Sequence, residues 1–334
     1  MRIESADYGE DIRTSPISQS KVSRPCNLRA EGAPGLSPDK TDLKIAIGIA
    51  TSGRREILSK VLQHLCCQAR MPDLVLVCAT DEKDIDKNAA ESPHLPVQIV
   101  VGPKGLCHQR NRILDNLGGF DVVVFLDDDF LMQRSYLSEV EKLFLNEADV
   151  VMSTGKVIAD GITGPGIEID DGIAIVDAAK VPAGADLKDI HNGYGCNMAV
   201  RVCAIEAENI RFDEHLPLYG WLEDVDFSRR LVSHGRIVQS KRLLGVHLGS
   251  KSGRTSGVRL GYSQIANPYY LFKKHTLSGP RAAKRMTRNF LANAGKYFCA
   301  EPWIDRKGRM KGNLLALGDL LRGRISPENI LKLK

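Results

Sequence analysis

The feature that most constrains the fold is a short apolar run that leads directly into three aspartates. Residues 122–130 read VVVFLDDDF. β-Branched and aromatic residues in so short a run predict a strand buried on both faces of a sheet. Side chains alternate along an extended chain, so Asp127 and Asp129 should lie on one side and Asp128 on the other.

Two carboxylates on the same side of a strand end repel each other unless a cation lies between them. A divalent cation such as Mg²⁺ takes oxygen ligands of this kind and completes its shell with substrate phosphates. We therefore predict a metal site at Asp127 and Asp129. The alternative is an acidic turn that caps a following helix, because Asp is a common N-cap residue.

The first half of the chain alternates strands with helices. Apolar runs at 43–50, 73–79 and 97–101 predict three strands before the aspartate strand. The residues from 57 to 66 have helical spacing, and a second helix is predicted from 105 to about 118. This order predicts an α/β fold with a mostly parallel sheet and right-handed crossovers.

Polar residues follow the predicted strands at their carboxyl ends, where open α/β sheets bind ligands. The residues that fall there are Thr51, Arg54, Asp81, Arg110, Asn111, Asp127, Asp128 and Asp129. The chain has no Gly-x-x-x-x-Gly-Lys-Ser/Thr loop, and no Gly-x-Gly-x-x-Gly motif follows the first strand. Any phosphates bound here would therefore be held by the cation.

The second half has a different character. Residues 150–177 are rich in glycine, and the runs at 150–152 and 173–176 predict short strands in a mixed sheet with mobile loops. Residues 191–198 contain two glycines that allow the backbone to approach a ligand closely. Asn197 in this segment offers both a hydrogen-bond donor and an acceptor.

Aromatic residues precede a pair of acids at 219–224, which read YGWLED. A helix is predicted from 223 to 234, and its dipole favours the carboxylates of Glu223 and Asp224 in the first turn. A charged helix start is the plain explanation of the pair. Trp221 beside the acids, shortly after Tyr219, is instead typical of a sugar platform with a base next to it.

His247 follows a strand-like region at 237–244. It could complete a metal shell or have a structural role. The glycine- and serine-rich residues 249–261 suit a flexible lid over a charged ligand, or form an ordinary surface loop.

The chain has 334 residues and a net charge of +5, and this charge is distributed unevenly. From Lys273 to the end, 15 Lys and Arg face 4 Asp and Glu, a local balance of +11 that leaves −6 for the rest. Residues 280–298 predict a basic amphipathic helix that either contacts an anionic membrane surface or packs on the domain. Nucleic-acid binding is not expected, because aromatic residues make up only 6% of the chain.

The chain start and the cysteines indicate the compartment. The start carries acids where a signal peptide would be apolar, and no apolar run reaches membrane-helix length. The eight cysteines include no Cys-x-x-Cys pair, which favours reduced thiols. We expect a cytoplasmic protein with peripheral contact at the cytosolic membrane face. Residues 1–41 predict a flexible leader.

Six motifs occur along the chain in this order: Thr51-x-x-Arg54, Arg110-Asn111, Leu126-Asp-Asp-Asp129, Gly195-Cys-Asn-Met198, Trp221-x-Glu-Asp224 and His247. Together they resemble the inverting glycosyltransferases of family 2, of the bacterial polysaccharide type, over residues 43–275. The resemblance implies the GT-A nucleotide-diphospho-sugar transferase fold. In this fold a mostly parallel Rossmann-like sheet joins a mixed sheet on the acceptor side, with C-terminal helices. We expect the catalytic domain at 42–275 and a basic helical region at 276–334.

The resemblance also implies roles for individual residues. Asp127 and Asp129 would bind Mn²⁺ or Mg²⁺ bridged to the donor diphosphate, with His247 as a third ligand. Asp224 would be the catalytic base, assisted by Glu223, and Tyr219, Trp221 and Glu223 would bind the acceptor. The implied nucleotide-sugar contacts are Thr51, Arg54, Asp81, Arg110, Asn111, Asp127, Asp128 and Asn197. After the second strand, Cys78-Ala-Thr-Asp81 replaces the Asp-Asp-x-Ser type of turn that the family usually has.

The implied reaction transfers a sugar from a nucleotide-diphosphate donor, here a UDP-sugar, to a hydroxyl of a saccharide or lipid-linked saccharide in surface polysaccharide synthesis. One alternative is a sugar nucleotidyltransferase, which would carry a glycine- and lysine/arginine-rich loop after the first strand. Ser52-Gly-Arg-Arg55 is shorter than such a loop. Another alternative is a non-catalytic sugar- or nucleic-acid-binding module that uses the basic tail.

Overall fold

The computed structural model describes residues 41–333 apart from 87–92, 94, 185, 186 and 254. The predicted leader therefore lies, but for residue 41, outside the described residues. In the part of the chain that is described, no helix is long and apolar enough to cross a bilayer.

The described strands form a nine-stranded mixed sheet. They are β1 (Ile45–Thr51), β2 (Leu74–Ala79), β3 (Val97–Val101), β4 (Val122–Asp127), β5 (Phe130–Met132), β6 (Val150–Asp160), β7 (Leu187–Asp189), β8 (Asn197–Arg201) and β9 (Arg236–His247). The order across the sheet is β3-β2-β1-β4-β8-β6-β9-β5, and β7 also pairs with β9. The first four strands in this order are parallel, as the sequence predicts, whereas β8 runs antiparallel to β4 and β6.

Helices cover both faces of the sheet. They are α1 (Arg55–Leu65), α2 (Leu106–Leu114), α3 (Tyr136–Asn146), α4 (Ile169–Ala178), α5 (Val202–Glu206), α6 (Glu223–Leu231), α7 (Gly257–Lys273), α8 (Gly279–Gly295) and α9 (Arg306–Leu321). Short 3₁₀ turns lie at Glu82–Asp84 and Pro327–Lys332. One apolar cluster packs α1 and α3 on one face, and another packs α2, α5 and α6 on the other.

The second cluster fixes α6 against the aspartate strand through aromatic contacts. The rings of Phe212 and Phe227 stack with centroids 4.0 Å apart, and Phe125 of β4 meets Phe212 edge-on at 5.2 Å. Each such pair contributes about 0.5–1.5 kcal/mol beyond its buried area. The start of α6 is therefore held at a defined position relative to the end of β4.

Two predictions of local structure in the second half are wrong. Residues 173–176 lie in α4 rather than in a strand, because Gly172 and Val176, one turn apart, are the buried positions of that helix. A short apolar run does not distinguish a buried helix from a strand. Residues 257–261 begin α7, where the Ser256 side chain accepts a hydrogen bond from the backbone N–H of Arg259. The strand predicted at 150–152 continues to Asp160 as β6.

The two helices after residue 275 pack against α7. Buried Asn293 of α8 donates to Gln264 of α7 at 2.8 Å and to Asn313 of α9 at 2.9 Å. Asn313 in turn donates to the carbonyl of Gly261 at 2.6 Å. Buried amides bonded in this way fix the relative position of three helices. The domain boundary at 275 stays a prediction.

Candidate active site

Three side chains with metal-ligating atoms meet at the end of the aspartate strand. Asp127 is the last residue of β4 and His247 the last of β9, and β5 places Phe130 opposite His247. One ligand atom from each of Asp127, Asp129 and His247 lies within 4.8 Å of the others. Nε2 of His247 is 3.3 Å from Oδ1 of Asp129 and 3.7 Å from Oδ2 of Asp127. The predicted grouping is confirmed, and the alternative of an acidic helix cap is wrong because β5 follows.

The chemistry of these residues fits a divalent cation. Oδ1 of Asp129 is buried and accepts no hydrogen bond from the described residues. Nδ1 of His247 lies 3.0 Å from Oδ1 of Asp160, whose other oxygen accepts from the Tyr194 hydroxyl at 2.9 Å. A carboxylate behind an imidazole orients the other ring nitrogen towards a metal. Two carboxylates and an imidazole could hold Mn²⁺ or Mg²⁺, and the nitrogen ligand favours Mn²⁺.

The charges at this group depend on each other. Burial lowers the pKa of His247, but the carboxylates of Asp129 and Asp160 outweigh it and raise the pKa to about 10. Burial acts to raise the pKa of Asp129, yet His247, Arg54 and the amide of Ser250 outweigh it and lower the pKa to about 2. Without a cation, a protonated imidazole therefore offsets part of the negative charge of the carboxylates around it.

We expect a divalent cation to displace that proton. At neutral pH the metal-free protein should hold His247 protonated, whereas a metal ligand must be neutral imidazole. Titration calorimetry with Mn²⁺ in buffers of different ionisation enthalpy should give about one proton released per ion. The variant H247N should release none and bind Mn²⁺ more weakly. Equal proton release by wild type and H247N would contradict this assignment.

Asp128 is not one of the three grouped residues, although Nη1 of Arg54 lies within 3.5 Å of both Asp128 and Asp129. The carboxylate of Asp128 accepts from the Thr51 hydroxyl at 2.7 Å and from Nη1 of Arg54 at 2.7 Å. Burial raises the pKa of Asp128 to about 6, with Arg54 acting in the opposite direction. Arg54 also donates to the carbonyls of Ser250 and Ser252. Thr51 and Arg54 thus lie beside the acidic triplet and connect it to the loop after β9.

The first residues of that loop, which the sequence predicts to be a lid or a surface loop, are held by hydrogen bonds. The amide of Ser250 donates to Oδ2 of Asp129 at 2.8 Å, and Nζ of Lys251 donates to the carbonyls of Gly161 and Ile162. Arg254, one of its predicted basic residues, lies outside the described residues. Residues 250 and 251 therefore support the group formed by Asp127, Asp129 and His247, which we call the metal corner.

A second acidic pair begins α6. Both Glu223 and Asp224 are 6% exposed. Asp224 accepts from the amide of Gly195 at 3.2 Å through Oδ2 and from the amide of Val225 at 2.8 Å through Oδ1. Burial raises the pKa of both carboxyl groups, and the charge of Asp224 helps raise that of Glu223 to about 8 against the effect of Arg110. A raised pKa makes an ionised carboxylate a stronger base.

Arg110 connects the two acidic groups. Its guanidinium is 2% exposed and donates to Oε1 of Glu223 at 2.5 Å, to Oδ1 of Asp127 at 3.2 Å and to the carbonyl of Gly195 at 2.7 Å. The rings of Phe125 and Phe212 flank it at 5.7 and 5.3 Å. A buried, forked cation of this kind fixes the distance between its carboxylates. The metal corner and the acidic pair are therefore one connected unit.

Gly195 permits this connection because a side chain there would push Glu223 out of its position. A Cβ atom there would lie 2.9 Å from Oε1 of Glu223 and 3.6 Å from Nη1 of Arg110. We expect G195A to displace Glu223 and lower turnover about 100-fold, with a loss of about 1–3 kcal/mol in the free energy of unfolding. Steady-state kinetics and denaturant unfolding would measure both.

The matched control is G118A, because a Cβ at Gly118 meets no described atom within 4 Å. It should leave turnover and stability near wild-type values. If G195A kept wild-type turnover, the close contact between Gly195 and Glu223 would have no functional role.

The segment before α6 has an unusual backbone. Leu218 and Leu222 have φ angles of 57° and 75°, and Gly220 between them has 62°. Positive φ at two leucines costs about 1–3 kcal/mol each and occurs mainly at functional sites. The carbonyl of Leu218 accepts from the amide of Leu106 at the start of α2, which holds the segment in place. This backbone presents Tyr219 and Trp221 to the site.

One cavity contains both acidic groups and the aromatic residues. It is lined by Leu106, Arg110, Asp127, Tyr194, Gly195, Cys196, Tyr219, Trp221, Leu222, Glu223, Asp224 and His247. Two of the possible metal ligands, two buried carboxylates and aromatic side chains thus face the same space. Such an arrangement can bind a charged leaving group and a hydroxyl-bearing ligand side by side.

Six of the predicted nucleotide-sugar contacts do not line this cavity: Thr51, Arg54 and Asp128, which bond to one another, and Asn111, Asn197 and Asp81. Asn111 bonds to the backbone of Phe212, as donor at 2.9 Å and acceptor at 2.8 Å. The fully buried side-chain oxygen of Asn197 accepts from Thr154, and its amide nitrogen has no partner among the described residues. Asp81 caps the turn after β2, where Lys83 lowers the pKa of its carboxyl group. Their roles in nucleotide binding stay predictions.

Sequence reasoning missed Asp160 and Tyr194. Asp160 reaches His247 because the two residues are partners in the register of β6 and β9. That pairing contains three irregularities. No local motif marks either residue, so only the fold brings them to the metal corner.

Solved structures share this fold. No family model and no curated protein match the chain. Residues 1–349 of S. aureus TarS, solved with UDP-GlcNAc, align with a TM-score of 0.51 and 15% identity over 87% of this chain and 84% of that one. The mannosyltransferase PcManGT of Pyrobaculum calidifontis, solved with GDP-Man and Mn²⁺, aligns with a TM-score of 0.50 and 16% identity over 93% of this chain and 89% of that one.

A longer TarS structure extends beyond the alignment, and the chain spans 44% of its length. Three features of the structure agree with the fold that the sequence motifs imply: the parallel half of the sheet, the antiparallel β8 and the acidic turn after β4. The two alignments confirm that fold. The chain has the GT-A fold of glycosyltransferases.

Proposed function

We propose that the protein is a metal-dependent inverting glycosyltransferase of family 2. It transfers a hexose from a nucleotide-diphosphate sugar, a UDP-sugar, to a hydroxyl of a saccharide or lipid-linked saccharide in surface polysaccharide synthesis. One observation carries the proposal: Asp127, His247, Glu223 and Asp224 line the same cavity, with Arg110 between the two groups. The UDP-GlcNAc and GDP-Man in the two aligned structures support a nucleotide-sugar donor.

Asp127, Asp129 and His247 would hold Mn²⁺ or Mg²⁺. The bound cation would neutralise the negative charge that develops on the diphosphate leaving group. Thr51, Arg54 and Asp128 lie next to this corner. Trp221 and Tyr219 provide an aromatic surface for the acceptor sugar on the other side of the cavity.

Asp224 acts as the general base. The Gly195 and Val225 amides hold its two oxygens. Asp224 takes the proton of the acceptor hydroxyl while that oxygen bonds to the anomeric carbon and the bond from this carbon to the diphosphate breaks. Attack from the face opposite the leaving group inverts the anomeric configuration. Glu223, bound by Arg110, helps to orient the acceptor.

A donor screen tests this function. The protein is incubated with UDP- and GDP-sugars, with Mn²⁺, Mg²⁺ or EDTA, and nucleoside diphosphate release is measured. We expect release from one donor with Mn²⁺ and none with EDTA. Formation of pyrophosphate from a nucleoside triphosphate and a sugar phosphate would instead identify a nucleotidyltransferase. Salt-sensitive oligonucleotide binding without donor turnover would identify a binding module.

We also propose peripheral contact with anionic membranes through α8 and α9. Phe298 and Leu321 are 90% and 89% exposed. A groove in this region combines Leu314 and Leu315 with the cations of Lys307, Lys311 and Arg322. Exposed apolar side chains with surrounding cations are typical of a surface that meets lipid headgroups.

The variant F298S/L321S should reduce co-sedimentation with phosphatidylglycerol vesicles about tenfold, because each exposed side chain contributes apolar area on binding. Phosphatidylcholine vesicles should bind weakly in either case. I175S is the control, since Ile175 is an exposed apolar residue on α4. Equal binding by wild type and both variants would contradict the membrane contact.

A further inference from the structure

Three arginines that have no carboxylate partner among the described residues lie near the proposed base. Arg229 is five residues after Asp224 in α6, a rise of about 7.5 Å along the helix. Arg281 and Arg285 are one turn apart on α8. Lys274 and Thr276, just before α8, donate to the two carboxylate oxygens of Asp226 in α6, each at 2.8 Å. The start of α8, which carries Arg281 and Arg285, therefore lies next to α6.

No ion pair with a described residue compensates the positive charge of this group. Nη1 of Arg229 donates to the carbonyl of His191, at 3.2 Å. None of the three arginines makes an ion pair with a described residue, whereas the adjacent Arg230 pairs with Asp226 at 2.9 Å. All three are partly buried, in contrast to the exposed Arg288 of the same helix.

The arginines are close to each other and to the base. Burial and the charge of Arg281 lower the pKa of Arg229. The positive charge of Arg285 acts on Asp224 and opposes the increase in its pKa that burial causes. Like charges that are half-buried together are unfavourable unless an anion binds between them. This group is distinct from the residues that line the cavity with Asp127 and His247, because none of the three arginines is among them.

We propose that Arg229, Arg281 and Arg285 bind a phosphate group of the acceptor, next to the hydroxyl that Asp224 deprotonates. The proposal rests on the proposed glycosyltransferase function and assigns the acceptor class, a phosphate-bearing saccharide. Phosphate suits the group because guanidinium forks bind phosphate oxygens in pairs. The donor diphosphate is accommodated separately at the metal corner.

Binding of phenyl phosphate by the full chain in EDTA tests this directly, because no cation is then present to bind phosphate at the metal corner. R281Q and R285Q should each weaken binding about tenfold. R285K should retain more affinity than R285Q, since it keeps the charge. R288Q removes the same charge from the exposed side of α8 and should leave the affinity unchanged. The binding of phenyl β-glucoside, which is neutral, should not change in R281Q or R285Q.

No phenyl phosphate binding, or an equal loss in R288Q, would overturn the proposal. The donor screen on the wild-type protein tests the proposed function separately. If no donor is turned over, the proposed glycosyltransferase function is wrong. If a donor is turned over but phosphate binding does not depend on the arginines, only the present inference is wrong. Two acceptors then distinguish the source of the phosphate. Transfer to a soluble saccharide 1-phosphate supports a phosphorylated saccharide, and transfer only to a saccharide diphosphate on a short lipid chain supports a lipid-linked one.

Discussion

The variant D224N is expected to reduce sugar transfer by about 10²–10⁴-fold, because an amide cannot take the proton of the acceptor hydroxyl. The hydrogen bonds to Asp224 give a second reason to expect this loss. The amides of Gly195 and Val225 both donate to the carboxylate oxygens of Asp224, so the NH₂ group introduced by the substitution would face a donor. Initial rates at saturating donor and acceptor would measure the effect.

The same variant should not lose stability. Folding raises the pKa of both Asp224 and Glu223. A raised carboxyl pKa means that stability falls as the pH rises from the unfolded pKa through the folded one. Replacing the buried carboxylate with a neutral amide relieves this cost, which offsets the contact of the NH₂ group with an amide donor, so the melting temperature at neutral pH should stay close to that of wild type. An active D224N, or one that loses activity only by unfolding, would contradict the role of Asp224 as base.

The second large effect is expected at the metal corner. D127N should lower turnover about 10²–10³-fold and weaken Mn²⁺ binding, because the cation loses a charged ligand worth several kcal/mol in the transition state. The amide oxygen introduced by this substitution can still accept from Arg110, which is 3.2 Å from Oδ1 of Asp127. The loss should therefore reflect the metal rather than a rearranged Arg110. Mn²⁺ titration and steady-state kinetics would measure both effects.

Asp128 provides the matched comparison within the same triplet. It bonds to Thr51 and Arg54 and does not belong to the three-residue group that could hold a metal. D128N should therefore cost less Mn²⁺ affinity than D127N. The opposite order would show that the cation binds on the other side of the strand end.

The structure explains why the two proposed groups act together. Arg110 bonds to Asp127, Glu223 and Gly195 at once, and the amide of Gly195 bonds to Asp224. The proposed donor side and the proposed acceptor side of the cavity are thus linked by one buried side chain. This link predicts that changes at Gly195 lower turnover as well as fold stability.

Local patterns predicted the central part of the site. The sequence predicted that Asp127 and Asp129 lie together, and the structure groups them, although Asp129 lies in the turn after β4 rather than in the strand. The order of strands and helices predicted that the carboxyl ends of β1 and β4 meet, which the register of Ala50 opposite Asp127 confirms. His247 was identified as a third ligand candidate from its place near a strand end.

Contacts set by tertiary packing could not be predicted in the same way. Arg110 and Asn111 are consecutive, but successive residues point about 100° apart around a helix. Arg110 therefore faces the cavity while Asn111 bonds to Phe212. Residues 173–176 form part of a helix because their packing on β9 outweighs the strand preference of a short apolar run.

The central claim is that a cation at the end of β4 and a base at the start of α6 act on one substrate. The most direct test is the anomalous difference density of Mn²⁺ in crystals grown with the ion and a nucleoside diphosphate. We predict a peak bounded by Asp127, Asp129 and His247, with the diphosphate on its open side and Asp224 facing the same cavity. A manganese peak elsewhere, with these three side chains free of metal, would contradict the claim.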